Sequence, residues 1–326
     1  MLDDVDTVLP SARAADCAVG VCQVWGDTRV LFAVPRARTP SLICLAFPGD
    51  NVPYNGWHPL PGALNAQHLH GGGLLGAIHD RFQRERGVYS DAALFVIEPR
   101  CDEGVGFAKY SNVLPGPLTE SGELTSKYDG RSLHASSRLE EVIDAAWVEA
   151  SRIGAASTAS TWAQLPAMLL GFSKGGIVLS QILSEVSAWH AASSGEHPAP
   201  TTVAPPGVRL LTRLTELHYL DAGVQGRGAH LTDPAIIGAL GRHPLVKAPA
   251  IFLHGTPRQW ADPGRVWLAE EKDRSVALLR EAGLDVFERL YFEGEAPSLA
   301  MHFDCVSAFC LVVAARPSGA ASPSLW

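Results

Sequence analysis

Two runs rich in β-branched and aromatic residues, 19–25 and 28–34, are joined by Gly26-Asp27 and predict a hairpin. The next run, Ser41-Leu42-Ile43-Cys44-Leu45-Ala46-Phe47, is apolar throughout and stops at Pro48-Gly49. An unbroken run of this length, with no polar alternation, predicts a strand covered on both faces. Beyond it the pattern switches back and forth between periods. Residues 64–86 carry helical spacing, interrupted by Gly71-Gly72-Gly73 and closed by Gly87, and residues 92–97 form a short buried strand. Residues 137–153 combine amphipathic spacing with the capping pattern Ser137-x-x-Glu140, which predicts a helix starting there. A strand at 167–170 leads into a helix that follows Ser173 and runs to about residue 190. Further strands fall at 216–220, 250–254 and 286–292 with helices between them, and 306–315 reads as a core helix.

Strands alternating with helices of this length predict an α/β fold: a mostly parallel central sheet with helices on both faces and an N-terminal antiparallel hairpin at its edge. Sheets of this kind carry their sites at the carboxyl ends of the strands. One domain, residues 1–316, accounts for the pattern, with residues 317–326 expected as a disordered tail. Two connections are longer than the rest. Residues 101–136, rich in Gly, Ser, Pro and charge, leave a strand end and are a candidate lid or insertion; residues 192–207 read as a solvated loop.

Composition narrows the functional classes. Thirty-four acidic residues against 26 basic ones give a net charge of -8 over 326 residues, so no broad positive surface exists for nucleic acid. No apolar stretch reaches the roughly 20 residues of a membrane span. The acidic start, Met1-Leu2-Asp3-Asp4-Val5-Asp6, resembles neither a basic secretory leader nor an Arg-rich transit peptide, and predicts an intracellular protein. The six cysteines are scattered without a Cys-x-x-Cys pair and are expected as free thiols. Neither His-Glu-x-x-His nor paired cysteines are present, so a metal site is not expected, and no cofactor is implied.

The chemistry concentrates at Gly171-Phe172-Ser173-Lys174-Gly175. Gly-x-Ser-x-Gly alone is a weak signal, because small residues match it by chance. Here it lies directly after an apolar strand and directly before an apolar helix, the setting of a nucleophile elbow. Ser173 is then the candidate nucleophile. A serine hydroxyl needs a base, most often a histidine oriented by a carboxylate, and in this architecture the chain order is Ser, Asp or Glu, His. His302 follows the last strand by a short loop and is read as immediately preceding the final helix, where an imidazole can reach the elbow. His218 and His254 fall within strands, and His230 and His243 in a connecting segment. Two acids end strands downstream of Ser173. Asp262 is favoured as the triad acid because it follows the strand before the histidine's own, although Asp262-Pro263 also suits a helix cap; Asp221 is the alternative.

An acyl-transfer site also needs oxyanion donors. The backbone N–H of Lys174, at the start of the following helix, is one candidate, and the loop Phe47-Pro48-Gly49-Asp50-Asn51 another. Asp50 sets a condition: its charge must turn away from the oxyanion or be matched by a cation such as Lys174. Trp57, Trp260, Trp267 and Phe172 are candidates for lining an apolar acyl pocket.

In the stretches Phe47-Pro48-Gly49-Asp50, Leu170 to Gly175, Tyr219-Leu220-Asp221-Ala222-Gly223, Thr256-Pro257 with Asp262-Pro263, and Glu295-Ala296-Pro297-Ser298 with His302-Phe303, the chain resembles the chromosome 2 open reading frame sixty-nine family. The likeness spans about residues 41–310. It implies an α/β-hydrolase fold, a serine hydrolase with Ser173, His302 and Asp221 or Asp262 in the presumed catalytic positions, and, in animals, a mitochondrial location. It also implies association with a glycogen branching enzyme. Together these readings predict an esterase, lipase or thioesterase working through an acyl-enzyme on a small acyl-type substrate. The alternative is a hydrolase-fold scaffold that binds a partner protein and turns over little, since fold alone does not confer function.

Overall fold

The structure, a computed structural model, describes residues 16–26, 28–50, 71–85, 87–101, 107–155, 161–193, 205–240 and 246–311. The expected tail, the body of the 192–207 loop, His243, Asn51 and Trp57 lie outside the described residues.

The predicted hairpin is present as β1 (Cys17–Val24) and β2 (Thr28–Pro35), paired antiparallel from Cys17↔Pro35 to Val24↔Thr28. The unbroken apolar runs become the buried strands β3 (Ile43–Phe47) and β4 (Ala93–Ile97), with helix α1 (Gly71–Glu85) between them. A short hairpin, β5 (Arg100–Cys101) and β6 (Ala108–Lys109), follows, then helix α2 (His134–Arg152) and strand β7 (Ala167–Phe172). Helix α3 (Gly176–Ser193), the short α4 (Val208–Arg213), β8 (Leu214–Leu220) and α5 (Pro234–Ile237) come next. The chain continues as β9 (Ala250–Gly255), α6 (Pro257–Trp260), α7 (Val266–Glu281), β10 (Val286–Leu290) and α8 (Leu299–Ala308).

Among the described residues, eight strands form one sheet in the order β1-β2-β4-β3-β7-β8-β9-β10. Only β2 runs against the others, because it pairs antiparallel with both β1 and β4 while every later pairing is parallel. That strand order, with an elbow after the central strand, is the α/β-hydrolase topology. Strand alternation divides the core in two. Ile43, Leu45, Phe47, Ala167 and Leu169 pack toward the face that also buries Leu139, Val142, Val178 and Ile182, whereas Cys44, Ala46, Met168, Leu170 and Phe172 face Leu74, Ile78, Cys305 and Val306. Burial on both faces is why β3, β4 and β7 read as continuous apolar runs.

Helix α2 begins earlier than its pattern suggested, and Ser137-x-x-Glu140 is not its capping box. The N-cap is Leu133, in a left-handed conformation with no side-chain cap of its own. Glu185, reaching across from α3, accepts from the backbone N–H groups of Ala135 and Ser136, both at 2.8 Å. Glu140 instead accepts from Leu210 N at 2.9 Å and from Arg209 Nε at 3.1 Å, tying α2 to α4. A buried carboxylate on two free helix N–H groups replaces the local cap with a tertiary one.

The described part of the long 101–136 connection is packed rather than bare. Tyr110, Val113 and Leu114 are buried in the main core, and Leu118 and Leu124 form an antiparallel bridge. Five cysteines, Cys17, Cys22, Cys44, Cys305 and Cys310, are free thiols. No helix among the described residues is long and apolar enough to cross a membrane.

Candidate active site

Ser173 stands at the end of β7, between two glycines whose missing side chains make the turn possible. Its φ is +52°, in the left-handed region that non-glycine residues rarely adopt. A Cβ on Gly171 would sit 2.7 Å from Gly175 O, and one on Gly175 would sit 2.1 Å from Phe47 O. The elbow therefore needs glycine at both places, because its limbs pass closer than any side chain allows. Ser173 is half-buried, and its carbonyl accepts from Gly223 N at 3.3 Å, which ties the elbow to the loop after β8.

Asp221 is the first residue after β8, the strand next to β7. It is fully buried and has a φ of +42°. One carboxylate oxygen accepts from Thr256 N at 2.7 Å; the other accepts from Thr256 Oγ1 at 2.9 Å and lies 2.6 Å from His302 Nδ1. Asp221 N donates to His254 O at 2.6 Å, and Gln259 Nε2 donates to Asp221 O at 3.1 Å. With its backbone and both oxygens engaged, the carboxylate has one orientation.

His302 lies inside α8, in its first turns, not in the loop before it as the sequence suggested. Ser298 caps this helix by accepting from Met301 N at 3.3 Å, so the helix begins one turn earlier. The imidazole is buried and stacks on the Phe172 ring with centroids 4.8 Å apart. Because a carboxylate can only accept, this contact puts a proton on Nδ1, and in the neutral ring Nε2 is then the bare nitrogen.

Asp262, the favoured acid in the sequence reading, is engaged elsewhere. It caps the 3-10 turn Pro263–Arg265 by accepting from Gly264 N at 2.9 Å, and pairs with Arg258 at 3.1 Å. Its place directly before Pro263 made it a cap, and the carboxylate on His302 is Asp221.

The loop after β3 passes directly over the elbow: a Cβ on Gly49 would lie 2.6 Å from Ser173 Cβ and 3.0 Å from its Oγ. Asp50, the next residue, does not confront the site with a bare charge. Its carboxylate pairs with the buried Lys174 ammonium and accepts from Ala108 N at 2.8 Å. Lys174 also donates to Ser121 O and lies 4.9 Å from the Phe107 ring centroid. A single buried cation thus joins the elbow, the β3 loop and the 107–133 segment. The backbone N–H of Lys174 lies in the first turn after Ser173, where helix N–H groups have no intrahelical acceptor.

Of the other aromatic candidates, Phe172 is at His302, whereas Trp260 lies at the end of α6 under the Lys272 ammonium and Trp267 lies at the start of α7. A cavity of about 540 Å³ opens between residues 123–128, the loop after β8 and α7; its walls include Ile177, Val224, His230 and Glu271, but neither Ser173 nor His302. His230, buried there, is pushed down to about 4 by burial and by the nearby Lys272. Among the described residues no group of three or more His, Cys, Asp or Glu is placed to hold a metal ion.

Sequence reasoning missed a polar row beneath α8, made of Glu216, His218, His254 and Tyr291. Its signal was in plain view: Glu216-x-His218 places polar residues at alternate positions in a strand otherwise read as buried.

A zebrafish (Danio rerio) protein called mitochondrial protein C2orf69 homolog is 29% identical over 209 residues, covering 62% of this chain and 56% of the relative. The human mitochondrial protein C2orf69 is 29% identical over 136 residues, covering 41% of this chain and 31% of the human protein. The chain therefore matches about half the length of the first of these relatives and less of the second. Among solved structures, esterase Est22 aligns over 93% of this chain and 80% of its own at 12% identity, with a TM-score of 0.44. The family model described as C2orf69 matches residues 117–285, a span that holds Ser173, Asp221 and Ser121, whose carbonyl accepts from Lys174. Since that span is just over half of the sequence, the chain belongs to the C2orf69 family.

Proposed function

We propose that the protein is a serine hydrolase of ester or thioester bonds, with Ser173 as nucleophile, His302 as general base and Asp221 as the residue that orients the base. The observation that carries this reading is the buried 2.6 Å contact between Asp221 and His302 Nδ1, at the exit of the strand beside the one that leads into Ser173. Nothing about a folded core requires a histidine, an aspartate and a serine with positive φ to converge on one loop cluster; a triad does.

In this reading Ser173 Oγ attacks the substrate's carbonyl carbon as its proton passes to His302 Nε2. The carbonyl oxygen takes up the negative charge and faces the backbone N–H of Lys174, with the loop after β3 at Gly49-Asp50 as source of a second donor. The imidazolium is stabilised by Asp221 and returns its proton to the departing alkoxide or thiolate as the carbon–oxygen or carbon–sulfur bond breaks. Water, deprotonated by His302, then attacks the acyl-enzyme and releases the carboxylic acid and Ser173. The Lys174–Asp50 pair keeps the carboxylate of Asp50 from opposing the oxyanion.

The test is labelling with a fluorophosphonate probe, followed by hydrolysis of short and long p-nitrophenyl esters and acyl thioesters. Labelling and turnover that vanish in Ser173→Ala support the reading; a folded wild-type protein that the probe leaves unmodified refutes it and favours a partner-binding scaffold. By the names of its relatives, the compartment we propose is the mitochondrion. Fractionation of cells producing the tagged full-length protein checks this, and recovery outside mitochondria would reject it.

A further inference from the structure

The helix that carries His302 rests on a part of the sheet that is unusually polar for a buried face. Alternation on β8 and β9 sends Glu216, His218 and His254 to the same side, with Leu220 opposite His254 and His218 opposite Phe252 in the register. Four hydrogen bonds connect this row into a chain. His218 Nε2 is 3.0 Å from Glu216, His218 Nδ1 is 3.1 Å from His254 Nε2, His254 Nδ1 is 2.9 Å from Tyr291 Oη, and Cys310 N donates to Tyr291 Oη at 2.9 Å. At the far end Tyr89 donates to the same Glu216 carboxylate at 3.2 Å.

The chemistry of these groups allows one direction of donation when both rings are neutral. A carboxylate only accepts, so His218 Nε2 carries the proton and its Nδ1 is bare. His254 Nε2 must then donate to His218, which leaves His254 Nδ1 to accept the Tyr291 O–H. With its hydrogen committed, the Tyr291 oxygen presents lone pairs to Cys310 N–H. Burial, then His218 and Arg289, holds His254 well below its ordinary value, in keeping with the neutral form.

Cys310 lies just beyond Phe309, the C-cap of α8. The chain of donors thus ends on the carboxyl end of the helix whose amino-terminal half holds His302. At the ends of β8 and β9, Asp221 N donates to the carbonyl of the same His254. We infer that Tyr291, oriented by His254 and His218, is a positioning residue: its hydroxyl pins α8 to the sheet and keeps His302 Nδ1 on Asp221. The inference deepens the proposed triad and rests on that reading only for the role of His302 as base.

Two variants test it by different routes. Tyr291→Phe keeps the ring and removes the hydroxyl. Cys310→Pro removes the N–H that the hydroxyl receives, and it suits Phe309, whose ψ of 148° is what a residue before proline adopts. The readouts are the low-field Nδ1–H proton resonance of His302 in the full-length protein, identified by its loss in His302→Gln, and the rate of fluorophosphonate labelling. We expect the resonance to broaden or move in both variants while the protein remains folded by circular dichroism, and labelling to slow by about tenfold or more. A resonance unchanged in a folded variant, at whatever cost to stability, overturns the inference, as does its absence from the wild-type protein. If Tyr291→Phe does not fold, Cys310→Pro decides. A wild-type protein that is not labelled but whose resonance moves in the variants refutes the hydrolase reading and sustains the positioning role.

Discussion

Asp221 and His302, 81 residues apart in the chain, meet at 2.6 Å where the loop after β8 and the first turns of α8 converge. The contact is made by a carboxylate already committed to Thr256, so the imidazole is aligned by a rigid partner rather than by a mobile surface acid. Asp221→Asn keeps the volume but gives His302 Nδ1 an amide, which no longer selects the tautomer with a bare Nε2. Turnover of any ester substrate is expected to fall by about 10⁴, and that of Asp262→Asn by less than about twofold. Equal losses in the two variants would remove Asp221 from the proposed triad.

The second prediction concerns the tertiary cap of α2. Glu185 is buried and accepts two backbone N–H groups, so Glu185→Ala leaves both without an acceptor in a place water does not reach. Chemical denaturation should show a loss of about 2–4 kcal/mol. Ser137→Ala, at the position that the local pattern marks as a cap, should change stability by less than about 0.5 kcal/mol. The reverse ranking would restore the local capping box.

These two cases mark where the sequence was legible. The elbow could be read because its requirements are local: an apolar strand, two glycines whose Cβ atoms would collide with Phe47 and Gly175, and an apolar helix. The strands could be read because double burial leaves an unbroken apolar run. The choice between Asp221 and Asp262 could not, since both follow strands and only the fold brings Thr256 of the neighbouring strand end onto Asp221. Glu185 was likewise silent, because its acceptor role depends on α2 and α3 crossing. His302 was singled out by its place after the last strand but set on the wrong side of the helix start, as Ser298 supplies an earlier cap.

Acid sensitivity should follow from His230. The unfolded chain takes up a proton on this imidazole as pH falls through about 6.5, whereas the folded protein, holding the value down to about 4 by burial and then by Lys272, refuses it until lower pH. Stability is therefore lost as pH falls from about 6.5 to about 4, by on the order of 3 kcal/mol for this group. His254, also held low by burial, acts with the same sign; Glu271, raised by burial, acts with the opposite sign because the folded state protonates first. Urea midpoints for His230→Gln and wild type, measured between pH 7 and 4, should diverge at neutral pH less than the wild-type curve falls, with a shallower slope in the variant. Parallel curves would show that His230 is not the group responsible.

The last prediction separates charge from position at Lys174. Asp50→Ala leaves the buried ammonium without a counter-charge, with the Ser121 carbonyl and the Phe107 ring beside it, and a buried charge deprived of its partner costs about 3 kcal/mol. Lys174→Met removes the charge instead, and Asp50, partly exposed and still accepting from Ala108 N, bears the change at a cost below about 1.5 kcal/mol. The double variant should recover most of the stability lost in Asp50→Ala, since the stranded charge is gone, giving a strongly non-additive cycle. Labelling at Ser173 should fall in all three, because each breaks the tie that holds the Gly49 loop over Ser173. A double variant that regains both stability and labelling would mean that the pair stabilises the fold without arranging the site.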